Sequence, residues 1–368
     1  MKLVVFGLSI SSSWGNGHAT LWRGLCRALA ERGHSVRFFE RDVPYYAQYR
    51  DYIEMPAGSR LHLYTEWEDA VEAGARELSD ADVSMVTSYC PDAIAASELA
   101  FDSPVPLRTF YDLDTGVTLH KLASGQPVDY IGPHLLRDYD LVLSYTGGKA
   151  LTLLRDRLGA REVAPLYGSV DPELHGPARA NPRFDCDLSY LGTYADDRQE
   201  VLERLFIEPA RRLPARRFCL GGALYPAEFP WTGNIFFVRH LPPAEHSEFY
   251  CSSRWTLNVT RAAMADMGFC PSARFFEAAS CGTPVLTDWF DGLDFFFEPG
   301  REVVVAGTTQ EAVAALEMPE TERRRMALRA RERTLSDHTA AVRAAELESI
   351  LERAAQGRPA RAASPVEV

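Results

Sequence analysis

A carboxylate stands in the middle of an apolar run at Phe275-Phe276-Glu277-Ala278-Ala279, one helical turn after Ser272-Ala273-Arg274 and just ahead of Cys281-Gly282-Thr283-Pro284. The amides of a first helical turn have no intrahelical partners, so a helix beginning at Ser272 offers a place for phosphate oxygens. Serine is also a residue type that caps such a start. A cation at Arg274 opposes the helix dipole unless an anion compensates it, which points to the same phosphate. Glu277, about a turn further on, has the acceptor capacity to hold two ribose hydroxyls. The Gly282-Thr283 turn then brings the backbone close and leads into the strand PVLTD. The alternative, a solvated charge on a helix surface, is disfavoured by the apolar residues on nearly every side of Glu277.

A second set of residues follows strand-like runs. SSSWGNGHA, residues 11–19, presents Trp14, Gly15, Asn16 and Gly17 ahead of a helix, with glycines that permit close backbone approach and amides that suit a ligand oxygen. The pattern is not Gly-x-Gly-x-x-Gly, which opposes a dinucleotide site in which Glu40 or Asp42 would be the acidic residue. His18 opens the helix, and an imidazole is well suited to take a proton from a hydroxyl; a capping or structural role is the other reading. Asp112 and Asp114 end the run FYDLDTG. Alternation along an extended chain puts both carboxylates on one side, where they orient His18 or bind hydroxyls, unless one caps the following turn. Asp-x-Asp also suits a hard cation. In YLGTYADDRQ, Gly192 and Thr193 with Arg198 make an amide-rich loop whose guanidinium can grip a diphosphate, and Arg261 ends WTLNVTR as a further cation. Each arginine alone is a common surface residue; together, each near a strand end or a helix start, Arg198, Arg261 and Arg274 read as an anion site.

Strands must bring these residues together. KLVVFGLSI, SVRFFERD, VSMVTS, PLRTFYD and DLVLSYT read as buried strands within the first 165 residues, alternating with helical patterns. One such helix, ATLWRGLCRALAERG, has Leu21, Trp22, Leu25, Cys26 and Leu29 on one face; another is KALTLLRDRLG. After the Pro/Gly/Asn-rich linker APLYGSVDPELHGPARANPRFD, the alternation restarts with CDLSYLG, RFCLGG, NIFFVR, WTLNVT, PVLTD and EVVVA, and with helices near 197–212, 243–252, 272–280 and 309–317. Strand and helix in alternation mean parallel sheets covered on both faces. The expected organisation is a first domain over 1–170, a second over 171–335, a helix over 336–354 packing back toward the first domain, and a flexible tail over 355–368. Two such sheets face a cleft where their carboxyl ends meet, the usual ligand position in α/β folds.

Composition bounds the partners. The chain of 368 residues is 46% hydrophobic and 24% charged, ordinary for a globular protein, and carries a net charge of −12, which argues against a nucleic-acid partner. The seven cysteines are scattered, with no Cys-x-x-Cys pair for zinc or redox work, and read as reduced thiols of a cytoplasmic protein. No apolar run reaches the roughly 18 residues of a membrane span, and MKLVVFGLSI runs into a glycine loop rather than a cleavage site.

FFEAASCGTPVLTD resembles the donor-nucleotide segment of GT-B glycosyltransferases. The longer stretch over residues 257–304, together with FYDLDTGVTL, DLVLSYTGG, LYGSVDP and YLGTYADDRQ, resembles the spore maturation protein CgeB-like glycosyltransferases over most of residues 1–310. The resemblance implies an α/β fold of two Rossmann-like doubly wound parallel-sheet domains facing a cleft (GT-B), an acceptor-binding first domain and a donor-binding second one. It assigns Glu277 to the donor ribose. Many retaining enzymes of this kind carry a second Glu eight positions earlier, where this chain has Phe269. GNGHA also resembles a loop of the lipid-linked N-acetylglucosaminyltransferase of peptidoglycan synthesis, in which the His faces the cleft. The expected activity is hexosyl transfer from a nucleotide diphosphate sugar, uridine before guanosine, to a small-molecule or glycan acceptor, with no cofactor and no metal. A two-domain layout opposes the metal-holding use of Asp-x-Asp. A nucleotide-sugar epimerase and a non-catalytic nucleotide-sugar-binding protein are the alternatives.

Overall fold

The computed structural model describes residues 1–357. The first sheet contains β1 (Lys2–Gly7), β2 (Ser35–Arg41), β3 (Arg60–Tyr64), β4 (Val83–Thr87), β5 (Leu107–Asp112), β6 (Leu141–Ser144) and β7 (Val163–Pro165), all parallel, in the order β3-β2-β1-β4-β5-β6-β7. Val4, Val5 and Phe6 of β1 are wholly buried because helices cover both faces of the sheet. One face packs on the helix Gly17–Glu31 through Leu21, Trp22, Leu25, Cys26 and Leu29, the stripe legible in its sequence. The edge strand β3 has no counterpart among the runs read from the sequence: RLHLY is half-exposed and lacks a continuous apolar core.

The second sheet contains β8 (Cys186–Leu191), β9 (Phe218–Gly222), β10 (Ile235–Arg239), β11 (Ser253–Asn258), β12 (Val285–Thr287) and β13 (Val304–Val305), again parallel, in the order β10-β9-β8-β11-β12-β13. Strand order reverses between β1 and β4 in one sheet and between β8 and β11 in the other. At such a switch point the connecting helices depart to opposite faces and leave a crevice at the carboxyl ends. The loops after β1, β8 and β11 are the ones that carry His18, Gly192 and Arg261.

The chain crosses between the sheets twice, side by side. Ala164 and Pro165, at the start of the predicted linker, belong to β7. Beyond them Val170 takes a bond from its own amide to the His338 carbonyl (3.0 Å), and the Ala340 amide returns one to the Val170 carbonyl (2.8 Å). The C-terminal region forms two helices, Glu320–Asp337 and Ala340–Gln356, broken at His338-Thr339, where the Thr339 side chain caps the second, so the helix expected over 336–354 begins at Ala340. That second helix puts Ala344, Leu347 and Leu351 into the core of the first domain. Residues 355 and 356 of the predicted tail complete it, and positions from 358 lie outside the described residues. Among the described residues, no helix is long and apolar enough to cross a membrane, and all seven cysteines are free thiols.

The two domains touch closely at Gly116, in the helix Thr115–Ala123. A Cβ there would lie 2.4 Å from the Ala263 carbonyl oxygen and 2.9 Å from the Met264 Cα, both in the second domain. Backbone cannot yield as a side-chain tip does, so Gly116→Ala is expected to push the domains apart. We expect a loss of about 1–3 kcal/mol of stability and a larger radius of gyration, read by thermal melting and small-angle X-ray scattering.

Candidate active site

A cleft of about 510 Å³ runs between the carboxyl ends of the two sheets. Its second-domain wall is built on the helix Ala273–Ser280. Ser272 occupies the N-cap position, but its hydroxyl donates to Asn258 Oδ1 (2.6 Å) instead of capping, and Asn258 in turn donates to Thr287 Oγ1 (3.0 Å). The helix start is thus tied to the ends of β11 and β12, and the amides at Ala273 and Arg274, both on the cleft wall, are left without helical partners.

Three guanidiniums gather at this end. Arg274 lies over the Tyr190 ring, 5.2 Å from its centroid, with a buried Nη1 that has no hydrogen-bond partner among the described residues. Arg198 donates from Nη1 to the Thr193 carbonyl (3.0 Å), while its buried Nε is equally unpartnered. Arg261 holds Asp197 through Nε (3.0 Å). Among the described residues this is the one ion pair within 4.0 Å that the three make. Burial, followed by the fields of Arg274 and Arg261, pushes the Arg198 guanidinium below its ordinary value. An under-neutralised cluster of this kind fits a polyvalent anion.

Gly192 makes room for it: a Cβ there would come within 2.8 Å of Arg274 Nη2. Gly222, at φ +154°, faces the Gly192 carbonyl so closely that a Cβ would sit 2.0 Å from the oxygen. The loops after β8 and β9 are pressed together for that reason, with the Gly192 amide bonded to the Gly221 carbonyl (2.9 Å).

Glu277 is 7% exposed and lines the cleft. Its Oε2 accepts from Tyr250 Oη (3.2 Å), and His175 Nε2 and His246 Nδ1 each stand 3.9 Å from a carboxylate oxygen. Burial holds both imidazoles down at about 4, so at neutral pH they are uncharged. A carboxylate has about four acceptor positions, so Glu277 retains capacity for further donors.

Gly282 and Thr283 do not reach the cleft. They form the turn before β12, at the amino end of a parallel sheet whose ligand crevice is at the carboxyl end. Thr283 instead donates to the Tyr250 carbonyl (2.7 Å), fastening the residue that holds Glu277.

On the first-domain wall, His18 Nε2 meets Asp114 Oδ2 at 2.8 Å, and both side chains line the cleft. Burial alone would raise the Asp114 carboxyl, but the bond and the field of His18, with Arg261 and Arg198 behind them, hold it below its ordinary value. His18 Nδ1 is buried without a partner among the described residues. Asn16 caps the helix by accepting from the His18 amide (3.0 Å) and donates to the Ser9 carbonyl (2.7 Å), so its role is to shape the loop. Gly15 and Gly17 line the cleft on either side of it. Trp14 does not line the cleft; it stacks on Tyr49 at 3.9 Å and meets His240 of the second domain at 4.0 Å.

Asp112 departs from the expected alternation. β5 ends at Asp112 and Asp114 is no longer extended, so the two side chains do not share a side. Asp112 is fully buried and accepts from the Asp114 amide (3.0 Å), and the Thr118 hydroxyl also approaches its carboxyl. Burial pushes its carboxyl up to about 7. The folded chain then keeps a proton that the unfolded chain releases near the ordinary value of 3.8, so stability falls as pH rises between the two. Asp112→Asn is expected to remove that loss, an advantage that grows toward neutral pH and reaches on the order of 2–4 kcal/mol above it. Denaturant melts across that range check it.

Several cleft residues carried no functional reading in the sequence. Tyr89, at φ +59°, and Thr260 each lie two residues beyond a strand end, where the rule that located Arg261 also applies. Tyr250 and His246 come from the helix Pro243–Cys251; behind the wall, His175 of the linker reaches Glu277, and no local pattern marks any of the three. Phe269 does not line the cleft; its carbonyl accepts from the Gly147 amide (3.0 Å) across the domain junction.

Residues 198–349 match a sequence family described as glycosyl transferase-like, a span that includes Arg198, Arg261, Ser272, Arg274 and Glu277. No curated protein matches the chain in sequence. Among solved structures, it is similar over 96% of its length to sucrose-phosphate synthase from Thermosynechococcus elongatus, at 15% identity and a TM-score of 0.71, covering 99% of that chain. It is also similar to Anabaena HepE in complex with UDP-glucose, at 13% identity and a TM-score of 0.66, with 96% of this chain and 100% of that one covered. A third likeness is to an alpha-glucosyltransferase in complex with UDP-glucose and DNA containing an abasic site, at 11% identity and a TM-score of 0.70, covering 96% and 99%. These likenesses extend over both domains and show the two-domain GT-B fold of glycosyltransferases.

Proposed function

We propose that this chain is a glycosyltransferase of the hexosyl-transferring type, moving a sugar from a nucleoside diphosphate sugar to a small-molecule or glycan acceptor in the cytoplasm, with no metal or cofactor. The observation that carries the reading is the meeting of Arg274 and Arg198, each with a buried unpartnered guanidinium nitrogen, with the open helix start at Ala273 and with Glu277 one turn on. In this reading the guanidiniums and amides take the diphosphate and stabilise it as it departs, and Glu277 takes the ribose hydroxyls. Uridine is the preferred base, supported by the UDP-glucose bound in two structural neighbours. Asp112 and Asp114 do not face one site, which supports guanidinium rather than metal handling of the diphosphate. The net charge of −12 favours an acceptor other than nucleic acid. The finer likeness to the CgeB-like group, carried by the stretch over residues 257–304, is part of this proposal.

The paired crossings at Val170 and His338-Thr339-Ala340 would serve as the hinge for closure, which excludes water from the reaction. The test is a thermal-shift series with UDP, GDP, TDP, ADP and NAD, with and without EDTA, on the native chain and on Glu277→Ala. The expected result is a shift with UDP that EDTA leaves intact and the substitution removes. A shift with NAD alone, or with none of them, would overturn the proposal.

A further inference from the structure

His175, His246 and Glu277 come from three separate parts of the chain, and their potential ligating atoms lie within 4.8 Å of one another. His175 Nε2 and His246 Nδ1 are 3.2 Å apart, and each is 3.9 Å from a different Glu277 oxygen. A tetrahedral ion with bonds of about 2.0–2.2 Å separates its ligand atoms by roughly 3.3–3.5 Å. The imidazole pair already has that spacing; each nitrogen faces a different carboxylate oxygen, and the three ligand atoms spread to 4.8 Å, so the Glu277 side chain must turn and close by roughly an ångström to share the ion. Two imidazoles with one carboxylate are a donor set for zinc or cobalt(II) rather than magnesium.

One of the two imidazoles is oriented for ligation by its outer nitrogen. His246 Nε2 donates to the Leu241 carbonyl (3.2 Å), which fixes the tautomer in which Nδ1 is an acceptor. His175 is pinned by Ser280 Oγ, which donates to its carbonyl (2.6 Å). Without an ion, His175 Nε2 donates to His246 Nδ1. Ligation moves that proton to His175 Nδ1, which is buried and has no partner among the described residues, so the ring stays neutral and no net proton is lost. His246 and Glu277 line the cleft, giving a path of entry and an open fourth position for water.

We propose that these three residues form an inhibitory site for a zinc-like divalent cation, which withdraws Glu277 from the donor. The binding of the ion stands on the cluster alone; the inhibition rests on the donor-site reading above. An ion held here and a ribose on Glu277 exclude each other, while the transfer reaction itself uses no metal.

The test is titration of the full, untagged chain with cobalt(II), followed by the visible d–d bands of four-coordinate cobalt. One ion per chain is expected, with binding weakened on the order of 10–100-fold or more in His246→Ala and in His175→Ala. UDP added first is expected to suppress the bands, and zinc to compete with them. Melting curves without metal establish that each variant is folded, and Glu277→Gln, which keeps the shape of the side chain, serves as an independent ligand removal. No saturable cobalt binding, or binding indifferent to all three substitutions, overturns the proposal. A UDP thermal shift without cobalt binding would leave the donor reading standing and remove this one; cobalt binding without a UDP shift would do the reverse for the site, leaving its inhibitory role refuted.

Discussion

Arg274→Met is expected to melt no lower than the native chain in the absence of ligand, and to gain nothing from UDP. The native guanidinium lies over Tyr190 with a buried Nη1 that no described residue satisfies, so that nitrogen's desolvation has no matching bond, although the field of Glu277 helps to hold the charge. Methionine fills a similar length of apolar space and carries no such cost. For the diphosphate the balance reverses. A hydrogen bond to a charged group contributes about 1.5–3 kcal/mol, so losing two from one guanidinium weakens binding by roughly 10²–10⁴-fold. Arg261→Met provides the contrast: it strands Asp197, its partner at 3.0 Å, and is expected to lower the melting temperature of the free protein. Melting with and without UDP, joined to calorimetric titration, reads both quantities. Arg274→Met that melts well below the native chain and still binds UDP would show a structural arginine.

The parts of the site written within one element were legible in the sequence. Arg274 and Glu277 lie three residues apart on a single helix, so their shared face follows from its pitch, and the helix start is marked by the residues themselves. The sheets were legible for a similar reason, because strands buried on both faces read as continuous apolar runs. Asp112 failed where a local rule met its boundary: alternation holds while the chain is extended, and β5 ends at that residue. Gly282 and Thr283 failed on direction, since a turn rich in cleft-like residues also occurs at the amino end of a sheet. The neighbours of Glu277 were invisible for a different reason. His175, His246 and Tyr250 reach it through tertiary packing across as many as 102 residues of sequence, and nothing in a linker histidine or in a helix with Phe249 and Tyr250 side by side announces that convergence.

His18 and Asp114 line the cleft from the first domain, and, on the proposed function, removing the imidazole is expected to cost transfer while sparing donor binding. A positioned base contributes roughly 10²–10⁴ in rate, so His18→Ala is expected to lower kcat by that factor with the UDP affinity unchanged. Asp114→Asn, which weakens the 2.8 Å contact with Nε2, is expected to fall between this and the native chain. Asp112→Asn, buried beneath them, is expected to transfer at close to the native rate. His18→Gln separates a base from a brace: its amide can still donate to Asp114, but it cannot carry a proton away from an acceptor hydroxyl. Recovery of transfer in that variant would make the imidazole a structural link between the helix Gly17–Glu31 and the end of β5. Equal loss in His18→Gln and His18→Ala, with slow donor hydrolysis preserved in both, assigns it to the acceptor proton, since the departure of the diphosphate is then supported by the arginines alone.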